Sequence, residues 1–275
     1  MRGVSVRPAT DERPADPASR GYGIDEREIR RMIEPLVLRY PEELQPEQRR
    51  DVARTAFHVS LVASAFAPPA KVCDIGGGVG LFSLACAHLG YEVTLVDDFS
   101  DPVNERFGDR ALALHRELGV SVVSSDAVQQ PPSFPPASFD VFTTFDSMEH
   151  WHHSPKRLFH VLTTALRPDG LFVLGTPNCV NLRKRITVPL GRGKWSQMED
   201  WYERPVFRGH VREPDLDDYR YIARDLGLRD VRLVGRNWLG HTSAHGWIRL
   251  ATSLSDPLLR LVPSLCADIY LVGRK

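Results

Sequence analysis

Paired cysteines are missing from this chain. Its four cysteines, Cys73, Cys86, Cys179 and Cys266, stand far apart with no C-x-x-C spacing. That argues against a zinc ribbon or a disulfide scaffold, and Cys73 and Cys86 read as reduced core residues in apolar runs. Long apolar runs are missing too. No stretch approaches the roughly 18 residues that a spanning helix needs. The N-terminal segment "MRGVSVRPATDERPADPASRG" has no hydrophobic centre for a secretory signal. The expectation is a cytoplasmic protein without stable membrane insertion. Net charge is absent, with 35 basic and 35 acidic residues, so no global field recruits nucleic acid and no such partner is expected. Lysine is scarce: five of the 35 basic residues, against thirty arginines.

What is present is an ordinary globular composition, 42% hydrophobic over 275 residues, enough for one large domain. Residues 1–22 are polar and read as a disordered lead-in. Residues 23–69 read as a helical cap. "IDEREIRRMIEPLVLRY" has apolar residues at helical spacing up to Pro41, and "PEQRRDVARTAFHVSLVASAF" resumes the helix until Pro68-Pro69. From residue 70 strands and helices alternate. "AKVCDIG", "YEVTLVD", "VSVVSSD", "FDVFTTFD" and "LFVLGTPN" are strands, and "GLFSLACAHLG", "NERFGDRALALHRELG" and "PKRLFHVLTTALRPDG" are helical. The predicted class is α/β: a Rossmann-like, doubly wound, mostly parallel seven-stranded sheet with helices on both faces. An insertion over 179–213, without a clean period, precedes a helix, a sixth strand, a helix over 247–262 and a closing strand.

The densest glycine cluster, "KVCDIGGGVG", follows the first strand. A dinucleotide fold wants G-x-G-x-x-G. Counting from Gly76, the last position is Leu81; counting from Gly78, it is Ser83. The pattern that fits is D-x-G-x-G-x-G: Asp74, Gly76, Gly78 and Gly80. An acid in such a loop suits a cationic ligand and would repel a phosphate. Two further strands end in acids, Asp97-Asp98 and Asp126, and the fourth ends at Asp146. A carboxylate at the second strand end can accept both ribose hydroxyls of a nucleoside.

These motifs resemble those of class I S-adenosylmethionine-dependent methyltransferases over residues 70–178, and more loosely to 275. The resemblance implies that Asp74, Gly76, Gly78 and Gly80 wrap the methionine end of S-adenosylmethionine. It implies that Asp97, with Asp98 beside it, takes the ribose, that Asp126 and Ala127 read the adenine, and that Asp146 lies by the methyl donor. "SMEHWHHSP" and "LRPDGLFVLGTPN" resemble the small-molecule branch that includes ubiquinone-type O-methyltransferases. That branch usually has an apolar residue at the position of Trp151.

For a hydroxyl acceptor the enzyme must align the acceptor and take its proton. Histidine suits that role, and the candidates are His150 and His153, with Glu149 as orienter. Asp146 and Glu149 are candidate metal ligands, but hard divalent ions prefer carboxylates to imidazole and no closed ligand set is visible, so no metal is assigned. The insertion mixes aromatics, among them Trp195, Trp201, Tyr202 and Phe207, with arginines. Trp201, Tyr202, Arg208 and His210 are candidate acceptor-binding residues, since aromatic faces stack on rings and arginines fork onto anions. The favoured acceptor is a sugar hydroxyl of a polysaccharide or glycolipid. The alternatives are a phenol or quinone precursor, a protein that binds the cofactor without turnover, and, disfavoured by Leu81, a nicotinamide-dependent oxidoreductase.

Overall fold

The computed structural model describes residues 21–192, 198–238 and 245–275. All but the last two residues of the polar lead-in, and Trp195, lie outside the described residues. The strands are β1 (Lys71–Ile75), β2 (Glu92–Asp97), β3 (Ser121–Ser124), β4 (Phe139–Phe145), β5 (Leu166–Pro177), β6 (Arg229–Arg236) and β7 (Asp268–Arg274). They form one sheet in the order β3-β2-β1-β4-β5-β7-β6. Strands β1 to β5 pair in parallel, and β7 runs antiparallel between β5 and β6.

Both faces of the sheet are covered, which is why its central strands are almost continuously apolar. Side chains alternate between two cores, as the two-residue strand period requires. Val72, Leu95, Val141 and Tyr270 point into the first core. Their neighbours Cys73, Val96, Phe142 and Leu271 point into the second. The first core is closed by α1 (Glu26–Ile33), α2 (Gln45–Ala63), α3 (Leu81–His88) and α4 (Pro102–Glu117). The second is closed by α5 (Lys156–Ala165) and α8 (Leu216–Asp225). The N-terminal helices therefore share the sheet's own core. All four cysteines are free, and three of them are buried.

Three details differ from the sequence reading. The first helix ends at Ile33, not at Pro41, and a 3-10 turn spans Glu34–Arg39. Pro35 at the start of that turn lacks the amide that an α-helix interior would need. The insertion is not irregular throughout: it carries α6 (Leu182–Thr187), capped by the Asn181 side chain, and the short α7 (Met198–Tyr202). The fifth strand starts at Leu166, directly after α5. The C-terminal helix, here α9, spans Gly246–Leu259.

The strand order reverses between β1 and β4, so the crevice beyond their C-terminal ends is where a doubly wound sheet takes its ligand. The β1–α3 loop enters that crevice. Gly76 has φ +72°, and a Cβ there would lie 1.9 Å from Ser147 Oγ. Gly76→Ala should cost about 2–4 kcal/mol in chemical denaturation, from strain and overlap together. Gly119 has φ +86°, and a Cβ there would meet nothing within 4 Å; Gly119→Ala should cost only about 1 kcal/mol. Equal losses would contradict the close approach of Ser147.

Candidate active site

The base of the site is Asp74. Its carboxylate is buried; Oδ2 accepts from Ser83 Oγ at 2.8 Å and Oδ1 from Thr143 Oγ1 at 2.9 Å. One carboxylate thus ties β1 to α3 and to β4. Burial pushes its pKa up to about 6 against the pull of those two hydroxyls. A Cβ on Gly77 would come within 2.1 Å of Asp74 Oδ2. Gly77 is not a member of the D-x-G-x-G-x-G pattern, yet the loop closes over Asp74 only because it has no side chain.

The loop is held at its tip by the second acid. Asp97 accepts from Gly78 N at 2.9 Å and from Phe99 N at 2.6 Å, and burial raises its pKa to about 6. Each oxygen keeps a second lone-pair site for a ligand. Asp98 is exposed and accepts from Ser100 N. Asp126 accepts from the amides of Val128 and Gln129 and from Gln129 Nε2. Gly80 begins α3. Asp74, Gly76, Gly78, Gly80, Asp97, Asp98, Asp126, Ala127 and Asp146 all line one cleft of about 830 Å³. That volume is within the range of nucleoside-sized ligands, and the carboxylates along it suit a cationic one.

Across the cleft Asp146 sits at φ +50° at the end of β4 and pairs with Arg54 of α2 at 2.8 Å; Arg54 also bonds Asp51. Burial raises the Asp146 pKa, and Arg54 opposes that rise. His58, one turn along α2, stacks on Phe145 with ring centroids 3.8 Å apart. The Trp238 indole donates to the Tyr270 hydroxyl, which also lies 3.0 Å from His58 Nε2. Burial, and then the Arg54 charge, lowers the His58 pKa and keeps the ring neutral. Neither Arg54 nor His58 carries a signal in the sequence.

The polar corner lies just beyond. His150 Nδ1 is 2.9 Å from the Arg208 carbonyl, which can only accept, so Nδ1 carries the hydrogen and Nε2 keeps its lone pair. Burial, then the neighbouring His210, lowers the His150 pKa. His210 Nδ1 lies 2.7 Å from Glu213 Oε1, and its ring meets His150 edge to face at 4.8 Å. Burial would raise Glu213, but hydrogen bonds from His210 and Lys184 outweigh it and hold its pKa down. Glu149 is 1% exposed, and its Oε2 has no hydrogen-bond partner among the described residues. Burial pushes its pKa up to about 9, with Asp146 adding to the rise. Glu149, His150 and His210 offer ligand atoms all within 4.8 Å of one another. The fold therefore brings to Glu149 and His150 a histidine from 60 residues later in the chain, a grouping that the sequence alone does not disclose.

The other residues singled out are more dispersed. His153 is exposed at the cleft wall. Arg208 lines the cleft and donates to Ser100 Oγ. Trp201 and Tyr202 are exposed on α7, 59% and 73%, and do not line the cleft; Val206 and Phe207 do. Replacing Arg54 with Met should leave Asp146 uncompensated and cost about 1–3 kcal/mol at pH 7. The loss measured by urea denaturation should shrink as pH falls and Asp146, its pKa raised by burial, takes a proton. A pH-independent loss would mean that Arg54 acts through packing alone.

Known proteins share this architecture. The chain spans less than half the length of several curated relatives. It is 32% identical to a ubiquinone biosynthesis O-methyltransferase of Xanthomonas campestris pv. campestris over 112 residues, 40% of this chain and 44% of that protein. It is 28% identical to a Burkholderia pseudomallei protein of the same name over 175 residues, 63% of this chain and 70% of that one. Among solved structures, a SAM-dependent methyltransferase from Archaeoglobus fulgidus matches with TM-score 0.52 and 23% identity, over 85% of this chain and 98% of that one. An S-adenosylmethionine-dependent methyltransferase from Mesorhizobium loti matches with TM-score 0.53 and 17% identity, over 82% and 98%. At these identities the structural likeness concerns the fold. The family model described as "Methyltransferase domain" matches residues 41–233, and the chain belongs to that family, the class I S-adenosylmethionine-dependent methyltransferases.

Proposed function

We propose that the protein methylates a hydroxyl group of a small molecule, with His150 as the base. The observation that carries this reading is the His150 tautomer: Nδ1 is spent on the Arg208 carbonyl, leaving a basic Nε2 in a partly buried ring. When bound, S-adenosylmethionine supplies a methyl group on a sulfonium, activated for displacement by an oxygen. The chain's own task is then to hold both reactants and to remove one proton. Gly76, Gly78 and Asp97 are proposed to hold the cofactor, with Asp126 and Ala127 at its base and Asp146 near its methyl group. His150 takes the hydroxyl proton, and His210, against its ring, is proposed to orient the hydroxyl, with Glu149 buried behind the pair.

The acceptor we favour is a sugar hydroxyl, in a polysaccharide or glycolipid. The corner formed by Asp146, Glu149, His150 and His210 is polar, and an apolar ring set against it would leave the free Nε2 lone pair of His150 without a partner at a cost of about 1–3 kcal/mol. A phenol is the second reading, supported by the name of the curated relatives. Another variant of the mechanism has a specific observation behind it: the unpartnered Glu149 Oε2 beside two imidazoles is a donor set for a divalent ion, which would bind acceptor oxygens in place of the protein groups.

His150→Gln should lower kcat about 10²–10⁴-fold and leave S-adenosylhomocysteine affinity within about twofold. Unchanged turnover would remove His150 from the reaction, and no turnover of any acceptor by wild type would favour a binding protein. Because the His150 pKa is lowered, the acidic limb of wild-type kcat should fall below the ordinary histidine value of 6.5. Adding and chelating Mg²⁺ or Mn²⁺ in the same assay separates the metal variant from the metal-free one.

Affinity for S-adenosylhomocysteine should also depend on pH. An ionised Asp97 accepts both ribose hydroxyls, whereas a protonated one loses an acceptor. Binding should therefore weaken as pH falls through about 6. Asp97→Asn should bind more weakly at pH 7.5 and show a flatter profile. A wild-type affinity constant from pH 5 to 7.5 would count against Asp97 as the ribose ligand.

A further inference from the structure

Helix α9 is packed with its apolar side outward. Trp247, Leu250, Leu254 and Leu258 follow at three- and four-residue steps, and Leu261 continues the series just past the helix end. At 100° per residue these five positions fall within an arc of about 80°. They are between 62% and 77% exposed. The residue on the opposite side of the helix, Asp256, is 8% exposed. Its carboxylate accepts from Asn237 Nδ2 at 2.9 Å and pairs with Arg260. The helix is thus anchored to the body through its one acid and presents a stripe of tryptophan and leucines to the outside. A contiguous apolar stripe of this length is the mark of an interaction surface.

A second apolar segment emerges from the same edge of the sheet. Ile186, Val188 and Leu190, at and just after α6, are 56%, 54% and 70% exposed. Arg185 of α6 donates to the carbonyl of Ser264, in the turn that follows α9. α6 follows the C-terminal end of β5. α9 lies between the C-terminal end of β6 and the start of β7, and β6, like β5, runs antiparallel to β7. Both apolar segments therefore rise from the sheet edge that carries the cleft.

The charge around them is mainly basic. Residues 179–192 contain Arg183, Lys184, Arg185 and Arg192 and no acid. Residues 246–262 contain Arg249 and Arg260 and one acid, the buried Asp256. Lys184 is paired with Glu213 and Arg260 with Asp256, which leaves Arg183, Arg185, Arg192 and Arg249 as a local basic concentration in a chain of zero net charge. Two copies joined through this face would set basic residues against their own equivalents, because a two-fold interface repeats one patch on both sides. Anionic headgroups complement it. Tryptophan and leucine on one side with arginines at the flanks is the pattern of a helix lying in a bilayer interface.

We propose that α9, aided by the α6 segment, seats the protein on the surface of an anionic lipid bilayer, with the cleft edge turned toward the membrane. No helix among the described residues is long and apolar enough to cross a membrane, so the attachment is peripheral. It stands apart from the choice of acceptor, and it would place the cleft within reach of an acceptor carried on a lipid.

The test is flotation of the full chain with phosphatidylcholine vesicles, with and without phosphatidylglycerol. Wild type should float with the anionic vesicles, less with the neutral ones, and less at high salt. The double variant Leu254→Gln/Leu258→Gln should reduce the bound fraction about tenfold or more. It should keep its melting temperature and its S-adenosylhomocysteine affinity, since both side chains are exposed. Three outcomes would overturn the proposal: no flotation of wild type, equal flotation of the double variant, or a wild-type dimer that the double variant converts to monomer. Wild type that binds S-adenosylhomocysteine but does not float would reject the membrane surface and leave the methyltransferase reading intact.

Discussion

The buried Asp74 carboxylate is the interaction on which the site depends. It is the last polar group of β1 before the glycine loop, and its two oxygens are taken by hydroxyls from α3 and β4. Those two bonds join the strand, the helix after it and the neighbouring strand across the switch point of the sheet. A carboxylate this deep is costly without partners, so the geometry of Ser83 and Thr143 is constrained as tightly as that of the acid. The loop above inherits the constraint. Gly77 lies against Asp74, Gly76 lies against Ser147, and the amide of Gly78 points at Asp97. The cleft floor is thus assembled from main chain, and its carboxylates are aimed before any ligand arrives.

The polar corner is built by a different device. Three of its groups, the Arg208 carbonyl, His210 and Glu213, come from the end of the insertion, while Glu149 and His150 come from the turn after β4. Backbone bonds stitch the two together, with the amides of Val211 and Arg212 both donating to the Glu149 carbonyl. Lys184 of α6 closes the set by pairing with Glu213. The insertion therefore serves as a clamp on the corner more than as a wall of aromatic rings. The same connection exposes the α6 apolar residues, so the surface proposed to face a membrane and the corner share one segment of chain.

Much of the fold is legible in the sequence because its signals are local. Apolar strands ending in acids, glycines after helices and the D-x-G-x-G-x-G spacing each need only a short window, and they place Asp74, Asp97, Asp126 and Asp146 on one cleft. The N-terminal helix boundary is misplaced when the apolar period alone is followed, because that period continues past Pro35 to Pro41, whereas Pro35, lacking an amide, is where the chain leaves the α-helix for a 3-10 turn. Arg54 and His58 escape a sequence reading because their partners, Asp146 and Tyr270, lie 92 and 212 residues away in the chain. The α9 periodicity is visible, but periodicity does not say which face is buried; that is decided by Asp256 bonding to Asn237. Trp201 and Tyr202 show the limit of composition as a guide, since an aromatic in an insertion faces the cleft only if the backbone turns it there.

The most direct measurement is a calorimetric titration of S-adenosylhomocysteine into wild type and into the Ser83→Ala/Thr143→Val double variant, with circular dichroism to follow the fold. Wild type is expected to bind in the micromolar range. The double variant, which strips Asp74 of both hydroxyls while leaving every cleft-lining carboxylate in place, should bind at least about tenfold more weakly with its secondary structure kept. Equal affinity in the two proteins would contradict the claim that Asp74 organises the cofactor cleft, and no binding by folded wild type would contradict the cleft itself.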